Sequence, residues 1–149
     1  MTAQTDSWAD ATIASLQAKG HRNSGARRAV VELLGRQDCC LTAQEIFDQL
    51  RAEGRRVGIA SVYRVLEQLA ALKLVSRLEV GDGTARYETA HPSGEHHHHL
   101  VCDSCGRVTP FEDAELERAL HKVEGRTGYS VAGHDVVLRG ACRDCAPAR

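Results

Sequence analysis

No stretch of this 149-residue chain approaches the roughly 18 to 20 consecutive apolar residues that a membrane span needs. The opening segment, MTAQTDSWADATIASLQAKG, is polar and has no apolar h-region. A secretory leader is therefore not expected, and the chain reads as cytoplasmic with no membrane partner. An excess of one charge is missing too, with 19 Lys+Arg set against 20 Asp+Glu. The bias within the chain is small: 11 basic against 9 acidic residues through position 80, and 8 against 11 beyond it. That permits a nucleic-acid partner for the front half without demanding one. Internal repeats are lacking, and so is low complexity, apart from one run of histidines. A composition of 42% hydrophobic and 26% charged residues excludes a disordered chain and leaves a globular one.

What is present falls into two parts. In the first, apolar residues recur with a helical period in four places. Trp8, Ile13 and Leu16 mark a helix over roughly 7–19. Ser24 is placed to cap a second, carrying Ala26, Ala29, Val30, Leu33 and Leu34. Thr42 and Glu45 form a Thr-x-x-Glu capping box before Ile46, Phe47 and Leu50, with a stop near Gly54. After Gly58, IASVYRVLEQLAALKL puts Ile59, Val62, Val65, Leu66, Leu69 and Leu72 on one stripe and leaves Tyr63, Arg64 and Glu67 off it. Two alternating segments, 76–80 and 84–88, follow around Gly81-Asp82-Gly83, a strong hairpin signal. Three helices and a terminal ribbon describe a winged helix. Residues 89–95, TAHPSGE, read as a linker. The second part is expected to hold strands near 97–101 and 108–111, a helix over 114–124 and a strand over 130–139.

Six cysteines need an explanation in a compartment that keeps thiols reduced. Four of them form two pairs, Cys102/Cys105 and Cys142/Cys145, each spaced so that one tight turn presents both sulfurs to one ion. Two such pairs complete a tetrahedral four-thiolate zinc site, which has no open coordination position and so favours structure over catalysis. Gly106 suits the sharp backbone after the first pair. Independent redox CxxC motifs are the competing role. Cys39 and Cys40 stand apart, at the end of the second helix.

The run His96 to His99 lies inside the chain and leads directly into LVCDSCG, which sets aside an affinity tag. Successive side chains of a strand face opposite ways, so His96 and His98 share one face and His97 and His99 the other. One run can serve two metal sites. Partners on the linker side are Glu88, Cys40 and His91, and in the second part Glu117, His121 and His134. Ligand type alone does not name the ion.

GIASVYR at 58–64 together with HHHHLVCDSCG at 96–106 and a terminal CxxC resembles the ferric uptake regulator family of metal-dependent bacterial repressors, over about Gly20 to Cys145. The resemblance implies an α+β chain: a winged-helix DNA-binding domain at 1–88, a hinge at 89–95, and a small α/β dimerisation and metal-binding domain at 96–149. It implies a homodimer that grips a palindromic double-stranded operator, with no small organic substrate. Tyr63 would contact a base, Arg64 a phosphate and Arg22 the minor groove, with Ser61 beside them on the recognition helix. Packing of the Tyr63 ring against the wing is the competing role. The hinge site would be Glu88, His97 and His99, with Cys40 where many members place a histidine. The other site would be His96, His98, Glu117 and His134.

The expected function is a metal-loaded transcriptional repressor, not an enzyme, with structural Zn2+ and a regulatory Fe2+ or Zn2+, Mn2+ being a further candidate. Zinc-uptake and peroxide-sensing regulators of the same family are alternatives. A metal-dependent hydrolase using Glu117 or Glu88 as base is the rival of another class. It lacks HExxH and any nucleophile motif, and a hinge is a poor place for preorganised catalysis.

Overall fold

A computed structural model describes residues 3–90 and 97–147, with side chains from residue 8 onward. The chain divides into two units, 1–95 and 96–149. Most of the expected linker, and His91 and His96, lie outside the described residues.

The first unit is built on four helices: α1 (Ala3–Ala18), α2 (Gly25–Gly35), α3 (Ala43–Ala52) and α4 (Ile59–Ala71). Each starts or packs as its side chains dictate. The Ser24 hydroxyl accepts from the Arg27 backbone N–H at 3.1 Å and opens α2. Thr42 Oγ1 accepts from the Glu45 N–H at 3.1 Å while Glu45 Oε2 accepts from the Thr42 N–H at 2.8 Å. This reciprocal box satisfies two orphan donors of α3. The stripes converge on one core, in which Leu16, Val30, Leu33, Leu34, Ile46, Leu50, Val62, Leu66 and Leu69 are all but sealed from solvent.

Two strands, β2 (Val75–Glu79) and β3 (Ala85–Thr89), form the ribbon. They pair antiparallel with Ser76 opposite Glu88 and Leu78 opposite Arg86. The bend between them uses positive φ at Gly81 (93°) and Gly83 (76°), a region closed to most side chains. Asp82 closes it, accepting from the Thr84 N–H at 3.0 Å and pairing with Arg86 at 2.8 Å. A two-residue strand, β1 (Leu41–Thr42), adds to the free edge of β3, with Leu41 opposite Tyr87. Sequence periodicity gave no sign of it, because two residues carry no period.

The second unit contains β4 (His98–Cys102), β5 (Val108–Phe111), α5 (Ala114–Thr127) and β6 (Val137–Gly140). Its sheet runs β5-β4-β6, antiparallel on one side of β4 and parallel on the other. Asp113 caps α5 by accepting from the Leu116 N–H at 2.8 Å, and Gly128, with φ 73°, ends it. The strand expected over 130–139 is a correction: only Val137–Gly140 pairs, and the segment before it has no regular structure. The apolar residues there stretch over ten positions, but β4 offers partners only from His99 to Cys102.

Candidate metal centres and nucleic-acid interface

The parallel register sets His99 opposite Val137 and Cys102 opposite Gly140, so the chain leaves β6 beside the end of β4, where the first CxxC begins. Gly106, at φ 76°, turns the first knuckle. Its N–H donates to the Cys102 carbonyl at 2.9 Å, and the Cys102 N–H donates to the Arg107 carbonyl at 2.9 Å. In the second knuckle the Cys145 N–H donates to the Cys142 carbonyl at 3.0 Å. The four sulfurs of Cys102, Cys105, Cys142 and Cys145 consequently lie within 4.8 Å of one another.

Their protonation follows their neighbours. The backbone N–H of Cys142 donates to the Cys102 sulfur at 3.3 Å. With the N–H groups of Cys105 and Ser104 it lowers the Cys102 thiol to about 6. The Cys145 thiol hydrogen-bonds the sulfurs of Cys142, Cys102 and Cys105 and is pushed up to about 12. Four thiols this close, with amides already aimed at one sulfur, are the donor set of a structural zinc site, and zinc fits it. Sequence reasoning had not anticipated the clasp between the knuckles: Arg107 pairs with Asp144 at 2.9 Å, and Arg139 pairs with Asp103. Both pairs are exposed, so solvent screening leaves each with little net stabilisation.

A second cluster gathers His98 from β4, Glu117 from the first turn of α5 and His134 from the loop before β6. Their donor atoms also lie within 4.8 Å of one another. The two oxygens of Glu117 are shared out: Oε1 meets His98 Nε2, and Oε2 meets His134 Nε2 at 2.9 Å. His98 is 2% exposed, its ring 5.6 Å from that of Phe111 and 5.2 Å from that of His134. A carboxylate bridging two imidazoles, one of them sealed from water, presents an N2O set for a divalent cation. Glu117 and His134 were paired with His98 from the sequence; His121 is 86% exposed and lies 3.6 Å from Glu124 instead.

The residues expected at the hinge are divided between the units. In the second, His97 and His99 have ring centroids 5.0 Å apart, as alternate residues of one strand should. In the first, the thiol beside the Glu88 carboxylate is that of Cys39, the two donor atoms lying within 4.8 Å. Cys40, expected there from the sequence, is 6% exposed and faces the interior. Cys39 sits in a bend and is only partly buried, while Cys40, next to the start of β1, is buried. The two sulfurs remain 3.8 Å apart. Cys39, burial and the Glu88 charge together push the Cys40 thiol above its ordinary range.

On α4, Val62, Val65, Leu66 and Leu69 face the core. Tyr63 and Arg64 are exposed, Tyr63 by 48%, and Ser61 is half-buried. Arg22 is exposed as well. Arg27 of α2 donates to Gln68 of α4 at 2.8 Å, fixing the helix that presents them. Among the described residues, no helix is long and apolar enough to cross a membrane.

Known proteins resemble this chain over most of its length. The family model described as the ferric uptake regulator family matches residues 18–139. The ferric uptake regulation protein of Neisseria gonorrhoeae is 34% identical over 134 residues, covering 89% of this chain and 92% of that one. The zinc uptake regulation protein of Mycobacterium tuberculosis is 37% identical over 130 residues, covering 87% and 98%. Among solved structures, the Helicobacter pylori ferric uptake regulator, described as having three functional metal binding sites, superimposes with a TM-score of 0.82 at 30% identity, covering 97% of this chain and 95% of that one. The chain belongs to the ferric uptake regulator family, a family of metal-responsive transcriptional regulators rather than of enzymes.

Proposed function

We propose that this protein is a repressor that grips a palindromic operator as a homodimer when a regulatory divalent cation is bound, and releases it when the cation leaves. The observation that carries the reading is the division of the hinge donors: Cys39 and Glu88 stand together on the winged unit, and His97 and His99 stand together on the other. One ion taking donors from both halves would fix the winged unit against the second unit. Within a dimer, that sets two recognition helices at the spacing of successive major grooves, about 34 to 36 Å.

Without the ion, the winged units spend only part of their time in the competent arrangement, and operator affinity falls by that fraction. Tyr63 and Arg64 read and hold the duplex, the phenol ring packing on a base and the guanidinium taking a phosphate bidentately, with Ser61 alongside and Arg22 reaching the minor groove. The set of His98, Glu117 and His134 is a second divalent-cation site. The four-thiolate zinc holds the unit through which the copies pair. Fe2+, Zn2+ and Mn2+ are the candidate regulatory ions, and a metal-loaded repressor of this kind works in the cytoplasm.

The test is retardation of an operator duplex at buffered free Zn2+, Fe2+ and Mn2+, with bound metal measured in parallel. His97→Ala with His99→Ala should abolish metal-dependent retardation and leave the dimer intact by sedimentation. Retardation unchanged in that variant contradicts the hinge assignment. Tyr63→Ala should lower the ratio of operator to random-DNA affinity by about tenfold, the cost of roughly one good base contact. An equal loss on both duplexes would assign Tyr63 a structural role.

A further inference from the structure

Cys39 and Cys40 stand apart from the zinc knuckles, and the regulatory reading uses only the first of them. In an extended segment the side chains of neighbours point to opposite faces. Here the chain bends at Cys39, and the two sulfurs come to 3.8 Å from each other. Both are thiols, with no disulfide formed. They differ in access: Cys39 is partly exposed, while Cys40, at the entry to β1, is 6% exposed. The four knuckle cysteines belong to the zinc set, so this pair is the dithiol that remains among the six cysteines.

An accessible thiol backed at contact distance by a buried one is the arrangement of a cysteine that is oxidised and then resolved. Covalent geometry sets the character of the bond that results. Neighbouring residues hold their Cα atoms about 3.8 Å apart across a trans peptide, below the roughly 4.4 to 6.8 Å usual across a disulfide. A disulfide between neighbours is therefore strained and readily reduced, as regulatory disulfides are and structural ones are not. It forms only when a strong two-electron oxidant drives it.

We propose that Cys39 and Cys40 are a reversible oxidation site for a hydroperoxide, closing to a disulfide between the two neighbours. The Cys39 sulfur attacks as thiolate, its proton passing to solvent. An S–O bond forms, the O–O bond breaks and, for hydrogen peroxide, water leaves behind a sulfenic acid. The Cys40 sulfur then attacks Cys39: an S–S bond forms, the S–O bond breaks, and a second water carries off the Cys40 proton. The pair loses two electrons, which the two peroxide oxygens take up, and two equivalents of a small thiol reverse the change. The part this plays in the switch rests on the regulatory reading above. A thiolate is the form of cysteine that ligates metal, so oxidation withdraws Cys39 from the donors beside Glu88 and weakens metal-dependent operator binding.

Full-length protein, with zinc retained in its four-cysteine site and other cations removed, is treated with hydrogen peroxide and then digested. Trypsin frees residues 37–51, which hold Cys39, Cys40 and no other cysteine. The wild-type peptide should become lighter by two hydrogens, regain them with a thiol reductant and carry no dimedone, with zinc content unchanged. Cys40→Ser should stop at the sulfenic acid and take up dimedone at Cys39. Cys39→Ser should give neither product. A wild-type peptide left unchanged, or carried on to sulfinic acid without closing, overturns the proposal. Should Cys40→Ser fail to fold, the wild-type peptide decides alone.

Operator retardation with Zn2+, an ion without redox chemistry of its own, separates the oxidation site from the regulatory reading. Oxidised, desalted wild type at saturating Zn2+ should bind the operator at least about tenfold more weakly than the reduced protein, and a thiol reductant should restore it. The disulfide with undiminished retardation upholds the oxidation site and contradicts its part in the switch. Zn2+-dependent retardation with no disulfide formed overturns the oxidation site and leaves the regulatory reading standing.

Discussion

The two units are held together by different chemistry. The first closes around an apolar core drawn from every one of its helices, with Val30, Val31, Leu33, Ile46, Val62, Leu66 and Leu69 at 0% exposure. In the second, no residue of α5 is buried, and two of the buried positions of its central strand are His98 and Cys102. Leu100, Val123, Tyr129, Val131 and Leu138 are left exposed there. A fold this short of apolar burial needs a metal or a partner surface to persist. The division would suit the proposed switch, with a self-sufficient winged unit joined to a part that relies on metal or a partner copy.

The largest expected effect breaks the second unit alone. Cys102→Ser or Cys142→Ser, or stripping zinc with a strong chelator, should remove the signal of that unit from a thermal melt and yield monomer by sedimentation. The transition of the winged unit should survive. The apparent free energy of structural zinc binding is on the order of 10 kcal/mol or more, larger than a small domain has to spare. A single unchanged transition, or a stable dimer, would show that the second unit stands without its zinc.

Next in size is a cavity in the first unit. Leu66→Ala, at a site of 0% exposure, should cost about 2 to 5 kcal/mol and lower only the transition of the winged unit, with zinc content unchanged. Coupled loss of both transitions would mean that the two cores are not independent. Smallest is the capping box: Thr42→Ala should cost about 1 kcal/mol in the same transition, measured by denaturant titration.

How far the sequence spoke for itself follows the same division. Where apolar periodicity and caps set the structure, the residues were legible: Ser24 and Thr42 cap the helices they precede, and the Asp82 turn joins the ribbon. The two CxxC pairs could be read because the bite of an ion fixes their spacing. Cys39 could not be told from Cys40, because which of two neighbours faces inward depends on how the chain enters β1. The short β6 and the Arg107–Asp144 clasp were hidden for a related reason. Both are set by a strand or knuckle distant in sequence and leave no local period.

The central claim is that an exchangeable ion decides whether the winged units can hold an operator together. The direct measurement is operator affinity of the full-length protein before and after removal of every exchangeable cation, with the four-cysteine zinc retained and verified by metal analysis. Affinity should fall about a hundredfold, the equivalent of roughly 2.7 kcal/mol of differential binding, and return when the ion is restored. Equal affinity in the two states would contradict the account.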